Sequence, residues 1–239
     1  MAATTDSRAS NLALVQGIAH TKETLAIWRA QPWPVLGTWF AASFLVSVGL
    51  LASVVLVASR STPDPSVGVM PGIFTPVSAG DVIHTVVRNL LVLALHSLAC
   101  VAGFIAGSSM PLEAKERGGW FGAVHDYAGR FAILFVSAAT VFSLMTQAYV
   151  LGGLTADVAA RLGLSDLTFV ALLLPHALLE LTGLFLPLAA WLIASRRNEW
   201  HQLLAATVVT TSIALVMVLT AAFIETYVTP EIIHAYAFR

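Results

Sequence analysis

The sequence predicts an all-α membrane protein: a polytopic transmembrane helical bundle of about five spans, preceded by an amphipathic N-terminal helix. Three observations carry this. The chain has 239 residues, of which 58% are hydrophobic and 10% charged, whereas a soluble domain carries about 25% charged residues. Mean hydropathy is +0.84. The apolar residues also gather into runs that match the ~20 residues needed to cross a hydrocarbon core.

Five runs reach that length: 35–59, 83–107, 131–153, 167–195 and 203–228. The second is the most diluted, because it carries Arg88, Asn89 and His96. This divides the chain into an interfacial segment (1–33), a membrane domain (34–230) and a short tail (231–239). The N-terminus has no charged stretch followed by a short apolar core, so no cleaved signal peptide is expected. Lysine and arginine placement sets orientation. Arg8, Lys22, Arg29, Lys115, Arg117, Arg130, Arg196 and Arg197 fall on one side of the spans. Arg60, Arg88, Arg161 and Arg239 fall on the other. The reading is a cytoplasmic N-terminus and an external C-terminus in a bacterial or archaeal cell membrane.

The segments between spans are distinct in composition. Residues 10–29 place Leu14, Ile18, Leu25 and Trp28 on one helical stripe, with Ser10 or Asn11 as a capping residue. Such a helix either lies at the membrane interface or packs on the inner face of the bundle. Residues 61–80 are rich in proline, glycine and serine and read as an external loop. Residues 108–129 read as the longest cytoplasmic loop. They mix charge with Trp120, Phe121 and Tyr127, and are either a partner-docking segment or a loop with interfacial aromatics.

Composition also narrows function. Net charge is −1 with no basic run, so nucleic acid is not an expected partner. Cys100 is the single cysteine, which excludes an internal disulfide and a thiolate metal cage. No nucleophile motif, phosphate loop or full metal-ligand set is present. The expectation is a protein without catalysis and without a cofactor.

Ionisable groups inside spans stand out, because each costs on the order of 3 kcal/mol at mid-bilayer and therefore finds a partner. With a rise of about 1.5 Å per residue, His176 is roughly 13 Å and Glu180 roughly 20 Å from the outer surface. Arg88, Asn89 and Glu225 are shallow and His96 is near the middle. Depth then pairs Arg88 with Glu225 and His96 with Glu180, with His176 between the two levels. His176 and Glu180 are four residues apart and share a helix face. The six residues make one candidate polar cluster. Pro175 and Pro187 interrupt the same helix: each removes an N–H and tends to kink it. Proline beside polar groups is similar to the broken helices of transporters, which keeps a proton- or ion-coupled transport component open as the alternative. A metal site from His176, Glu180 and Glu225 is weaker, because H-x-x-x-E lacks the glutamate of the HExxH motif. Gly103 and Gly107 form a G-x-x-x-G pair that suits close helix packing, within the chain or across a dimer. Gly152 is a further packing position in the third span.

Three pieces of sequence resemble one family. LLLPHALLEL (172–181) resembles the stage II sporulation protein M signature of leucine-proline-histidine-glycine with a glutamate four residues after the histidine. AAFIETYVTP (221–230) is similar to the family's closing helix, and RNLLVLALHSLACVAGFIAG (88–107) to its helix that opens on asparagine. Two positions depart from the pattern. Ala177 stands for the glycine, and Gln147-Ala148, followed by Gly152, for an asparagine-glycine step. The resemblance covers roughly 84–230 and marks Asn89, Pro175, His176, Glu180 and Glu225. It implies a non-enzymatic scaffold or subunit of a membrane assembly, since the founding members help to hold peptidoglycan-degrading partners during engulfment. Expected partners are the lipid bilayer, other membrane or cytoplasmic proteins engaged through 108–129, and a second copy of the chain.

Overall fold

The computed structural model describes residues 13–66, 70–105, 107 and 119–238. They form α1 (Ala13–Ala30), α2 (Trp33–Ala58), α3 (Ala79–Phe104), α4 (Gly119–Leu162) and α5 (Asp166–Arg196). A short 3-10 turn (Trp200–Gln202) leads into α6 (Leu203–Phe223), a π-helical turn (Ile224–Val228) and α7 (Thr229–Ala237). Among the described residues there is no strand, only a bridge between Pro71 and Thr75. Five helical stretches are long and apolar enough to cross a membrane: Trp33–Ala58, Ala79–Phe104, Leu134–Leu162, Asp166–Arg196 and Trp200–Ala237. The chain is a multi-pass, all-α membrane protein, with α1 ahead of the first span.

Two expectations are corrected. Residues 119–129 are helix, not loop, because α4 begins at Gly119 and runs 44 residues; residues 108–118 lie outside those described. The same helix continues past Gly152 and Gly153 to Leu162. Hydropathy marks where a helix meets hydrocarbon, whereas backbone hydrogen bonds let it continue into polar surroundings. What ends α4 is a glycine cap. Gly163 takes φ +67°, its N–H donates to the Ala160 carbonyl at 3.1 Å, and Leu164 N–H donates to Ala159 at 2.9 Å. This paired pattern satisfies the last carbonyls of the helix. The proposed cap of α1, Ser10 or Asn11, also lies outside the described residues.

The chain divides into two compact units. The first comprises Met1–Ala42, Ala94–Ala138 and Leu186–Ser212. Its core joins Cys100, Phe104, Trp191, Ala194 and Leu203. Gly103 and Gly107 explain how bulky rings fit there. A Cβ on Gly103 would lie 2.6 Å from Trp191 Cδ1, and one on Gly107 would collide with the Trp200 ring. The G-x-x-x-G pair therefore seats two tryptophans of the same chain. Trp28 of α1 meets Trp39 of α2 edge-to-face, with centroids 5.1 Å apart. Both rings are buried, while Ile18 on the α1 stripe is exposed. Ser97 and Thr211 share a hydrogen bond of 2.8 Å, and the Cys100 thiol donates to the Pro187 carbonyl.

The second unit comprises Ser43–Leu93, Ala139–Phe185 and Ile213–Arg239. Leu50, Val54, Ala148, Val170 and Phe185 form one of its cores. Gly152 lets α4 approach α2, since a Cβ there would lie 2.6 Å from Val57 Cβ. A second core joins Ile73 to Val158, Ala159, Phe169 and Ile233. It ties the proline- and glycine-rich loop down onto the helices. Gly72 takes φ +84°, and any Cβ there would press on Pro230. His234 Nε2 lies 3.2 Å from the Gly72 carbonyl oxygen, and the Arg161 guanidinium lies 4.0 Å over the Phe74 ring. In the same loop, the Ser66 hydroxyl and N–H donate to Asp64. These bonds hold the Asp64 carboxyl below its usual range. Their contribution is present at neutral pH and is lost as pH falls through that lowered value.

α5 runs unbroken through both prolines. Pro187 leaves the Gly183 carbonyl without its usual donor. One residue earlier, the Thr182 carbonyl accepts a hydrogen bond from Ser43 Oγ at 2.5 Å. A side chain of α2 thus supplies a hydrogen bond next to the carbonyl that Pro187 leaves unserved.

Candidate functional site

The second unit gathers most of the ionisable groups found inside the spans. α3 brings Arg88 and Asn89, α5 brings His176 and Glu180 one turn apart, and the π turn brings Glu225. Asn89 is 2% exposed. Arg88 Nε donates to Asn89 Oδ1 at 3.3 Å, which turns the amide so that its oxygen faces the guanidinium and Nδ2 faces away. The Glu180 carboxyl interacts with Glu225, with Arg88 and with the Asn89 side chain. Glu225 interacts with Arg88 in turn. Two carboxyls, one guanidinium and one amide, carried by three elements of the second unit, make up the candidate node.

The π turn has a local cause. Pro230 has no N–H to donate and its ring crowds the preceding carbonyls. The Thr229 N–H reaches back five residues to the Ile224 carbonyl instead of four. One extra residue in a turn rotates the next stretch of helix by about 100°. Single π turns of this kind recur at functional positions. This one sits between Glu225 and Thr229, two residues that engage α5.

His176 is buried, and its Nδ1 lies 2.8 Å from Thr229 Oγ1. Its direct partner is thus a hydroxyl of α7. Removing that hydroxyl leaves a buried ring nitrogen without a partner, at about 1–3 kcal/mol. Thr229→Val, which keeps the shape of the side chain, is expected to lower the unfolding midpoint in lipid nanodiscs accordingly. An unchanged midpoint would show that the bond contributes nothing.

The second unit holds Arg88, Asn89, Glu180 and Glu225, and the charge of Arg88 acts on both Glu180 and Glu225. His96 belongs to the first unit. Thr229 escapes a reading of the sequence because a threonine before proline reads as the end of a span. The available signal is its position four residues after Glu225, on the flank of Pro230. Among the described residues, no group of three or more His, Cys, Asp or Glu is placed to hold a metal ion.

Two atoms in the node have no hydrogen bond among the described residues. They are Asn89 Nδ2 and Glu225 Oε2. Both are sealed from solvent.

Against known proteins, residues 42–230 match the family model described as Stage II sporulation protein M. No curated protein and no solved structure matches the chain.

Proposed function

The chain belongs to the stage II sporulation protein M family, and on that premise we propose that it is a non-enzymatic scaffold or subunit of a cell-membrane assembly. The observation that carries this reading is the open surface of α4. Only 6% of its most apolar window is buried within the chain, against 22–44% for the other four spans. That surface displays Phe135, Phe142, Met145 and Tyr149. It also carries Ser143 and Gln147, which are hydrogen-bonded to each other. Helices in lipid associate through packing and through such polar side chains. The polar node would hold the chain's own helices in register while α4 engages a partner. The segment 108–129 is a second contact for a cytoplasmic partner, with the N-terminus inside and the C-terminus outside, as the lysine and arginine asymmetry favours.

A photo-crosslinking amino acid at Phe142, which is 73% exposed, tests the proposal in native membranes. Leu95 on α3, 66% exposed, is the control position. A discrete protein adduct at Phe142 and none at Leu95 is the expected result, and twice the chain mass would identify a second copy. Lipid adducts alone at both positions would sink the assembly reading through α4.

A further inference from the structure

We propose that α4 is the seam of a homodimer, in which the Gln147 side-chain amide of each copy bonds to that of the other. This rests on the assembly reading above and names its partner. The observation that carries it is an unfinished set of hydrogen bonds deep in a span. Gln147 lies about 20 Å along the helix from either end of the Leu134–Leu162 span. Its Nε2 donates to Ser143 Oγ at 3.1 Å. Among the described residues its side chain makes no other hydrogen bond, so Oε1 and one N–H stay open. Exposed hydroxyls on the spans do otherwise. Those of Ser53, Thr146, Ser212 and Thr220 each donate to the backbone carbonyl four residues earlier.

What is open on Gln147 selects the partner. Lipid tails offer neither donor nor acceptor. One free N–H and one free oxygen on the same amide are each other's complement, so a second copy supplies both. Copies inserted in one membrane with the same orientation pair about an axis along its normal, and each residue then meets its counterpart. Each Nε2 keeps its bond to Ser143 and gives its second N–H to Oε1 of the other copy. Bonds of this kind join helices in lipid. The surrounding face has the matching geometry. Ala139, Ser143, Thr146, Val150 and Gly153 follow at intervals of four, three, four and three, the period of about 3.5 residues of a left-handed helix pair. They lie opposite Ala148 and Gly152, which are buried. The first four are exposed, and a Cβ on Gly153 would meet nothing within 4 Å.

The test uses the purified full-length chain in phosphatidylcholine bilayers, with donor- and acceptor-labelled copies mixed and then diluted with lipid. Energy transfer that falls on dilution is expected. Gln147→Leu is expected to weaken pairing about tenfold, the scale of an interhelical polar contact in lipid. A second arm keeps Gln147 in place, so it stands even where Gln147→Leu fails to fold. Oxidation is expected to join Val150→Cys, on the seam, into a disulfide dimer and to leave Leu95→Cys, exposed on α3, as a monomer. The native Cys100 is buried in both. No transfer at any dilution, pairing that Gln147→Leu leaves unchanged, or no disulfide at position 150 would each overturn the proposal. A Phe142 adduct in native membranes to a different protein, with no transfer between purified copies, would keep the assembly reading and end this one.

Discussion

Trp191→Ala is expected to cost about 3–5 kcal/mol, the range for removing a large buried ring. Trp191 is 1% exposed and lies in the core of the first unit with Cys100, Phe104, Ala194 and Leu203. In lipid the loss is mainly one of contact, because hydrocarbon tails are as apolar as the side chains they replace. The complementary change is Gly103→Ala. Its Cβ would lie 2.6 Å from Trp191 Cδ1 and 3.2 Å from Leu203 Cδ1, an overpacking worth about 1–3 kcal/mol. The two changes are coupled through one contact. Gly103→Ala added to Trp191→Leu is expected to cost much less than Gly103→Ala alone. Thermal unfolding of the four proteins in nanodiscs measures the cycle. Additive costs would show that Gly103 and Trp191 do not constrain each other.

Arg88→Leu is expected to destabilise by about 2 kcal/mol, near the lower end of what charge imbalance inside a membrane protein costs. Among the described residues, the Arg88 guanidinium is the cation that acts on both Glu180 and Glu225. Removing it leaves two carboxyls facing each other and frees Asn89 Oδ1. Arg88 is itself exposed, which keeps the effect below that of a fully buried ion pair. Glu225→Gln in the same chain removes one of the two acids. The double variant is expected to recover stability, with a coupling of about 0.5–3 kcal/mol. A double variant as weak as the sum of its parts would mean that the node is a set of independent groups.

Particular residues show how far the sequence was legible. The spans were readable because twenty-residue apolar runs have no soluble alternative. Arg88, Asn89, Glu180 and Glu225 were readable as candidate polar groups because an ionisable group in a span must find a partner, and depth limits the choice. His176 was readable as buried and polar, but its partner was not. Thr229 reaches it only because the π turn re-phases the chain between α6 and α7, and local sequence does not announce a π turn. The length of α4 was hidden for a different reason. Hydropathy falls off at both ends of its third-span core, while the helix continues to Gly119 on one side and to the Gly163 cap on the other.

Composition, run length and charge placement by themselves determined that this protein is α-helical and crosses a membrane several times, and three short motifs placed it with the stage II sporulation protein M proteins. The first two follow because the bilayer admits few solutions to an unpaired backbone or an unpaired charge. The tertiary structure decided which groups meet: Trp191 over Gly103 and His176 with Thr229. Those choices depend on helix phase and on the space that each glycine leaves. Residues distant in sequence set both, so no single stretch of the chain carries them.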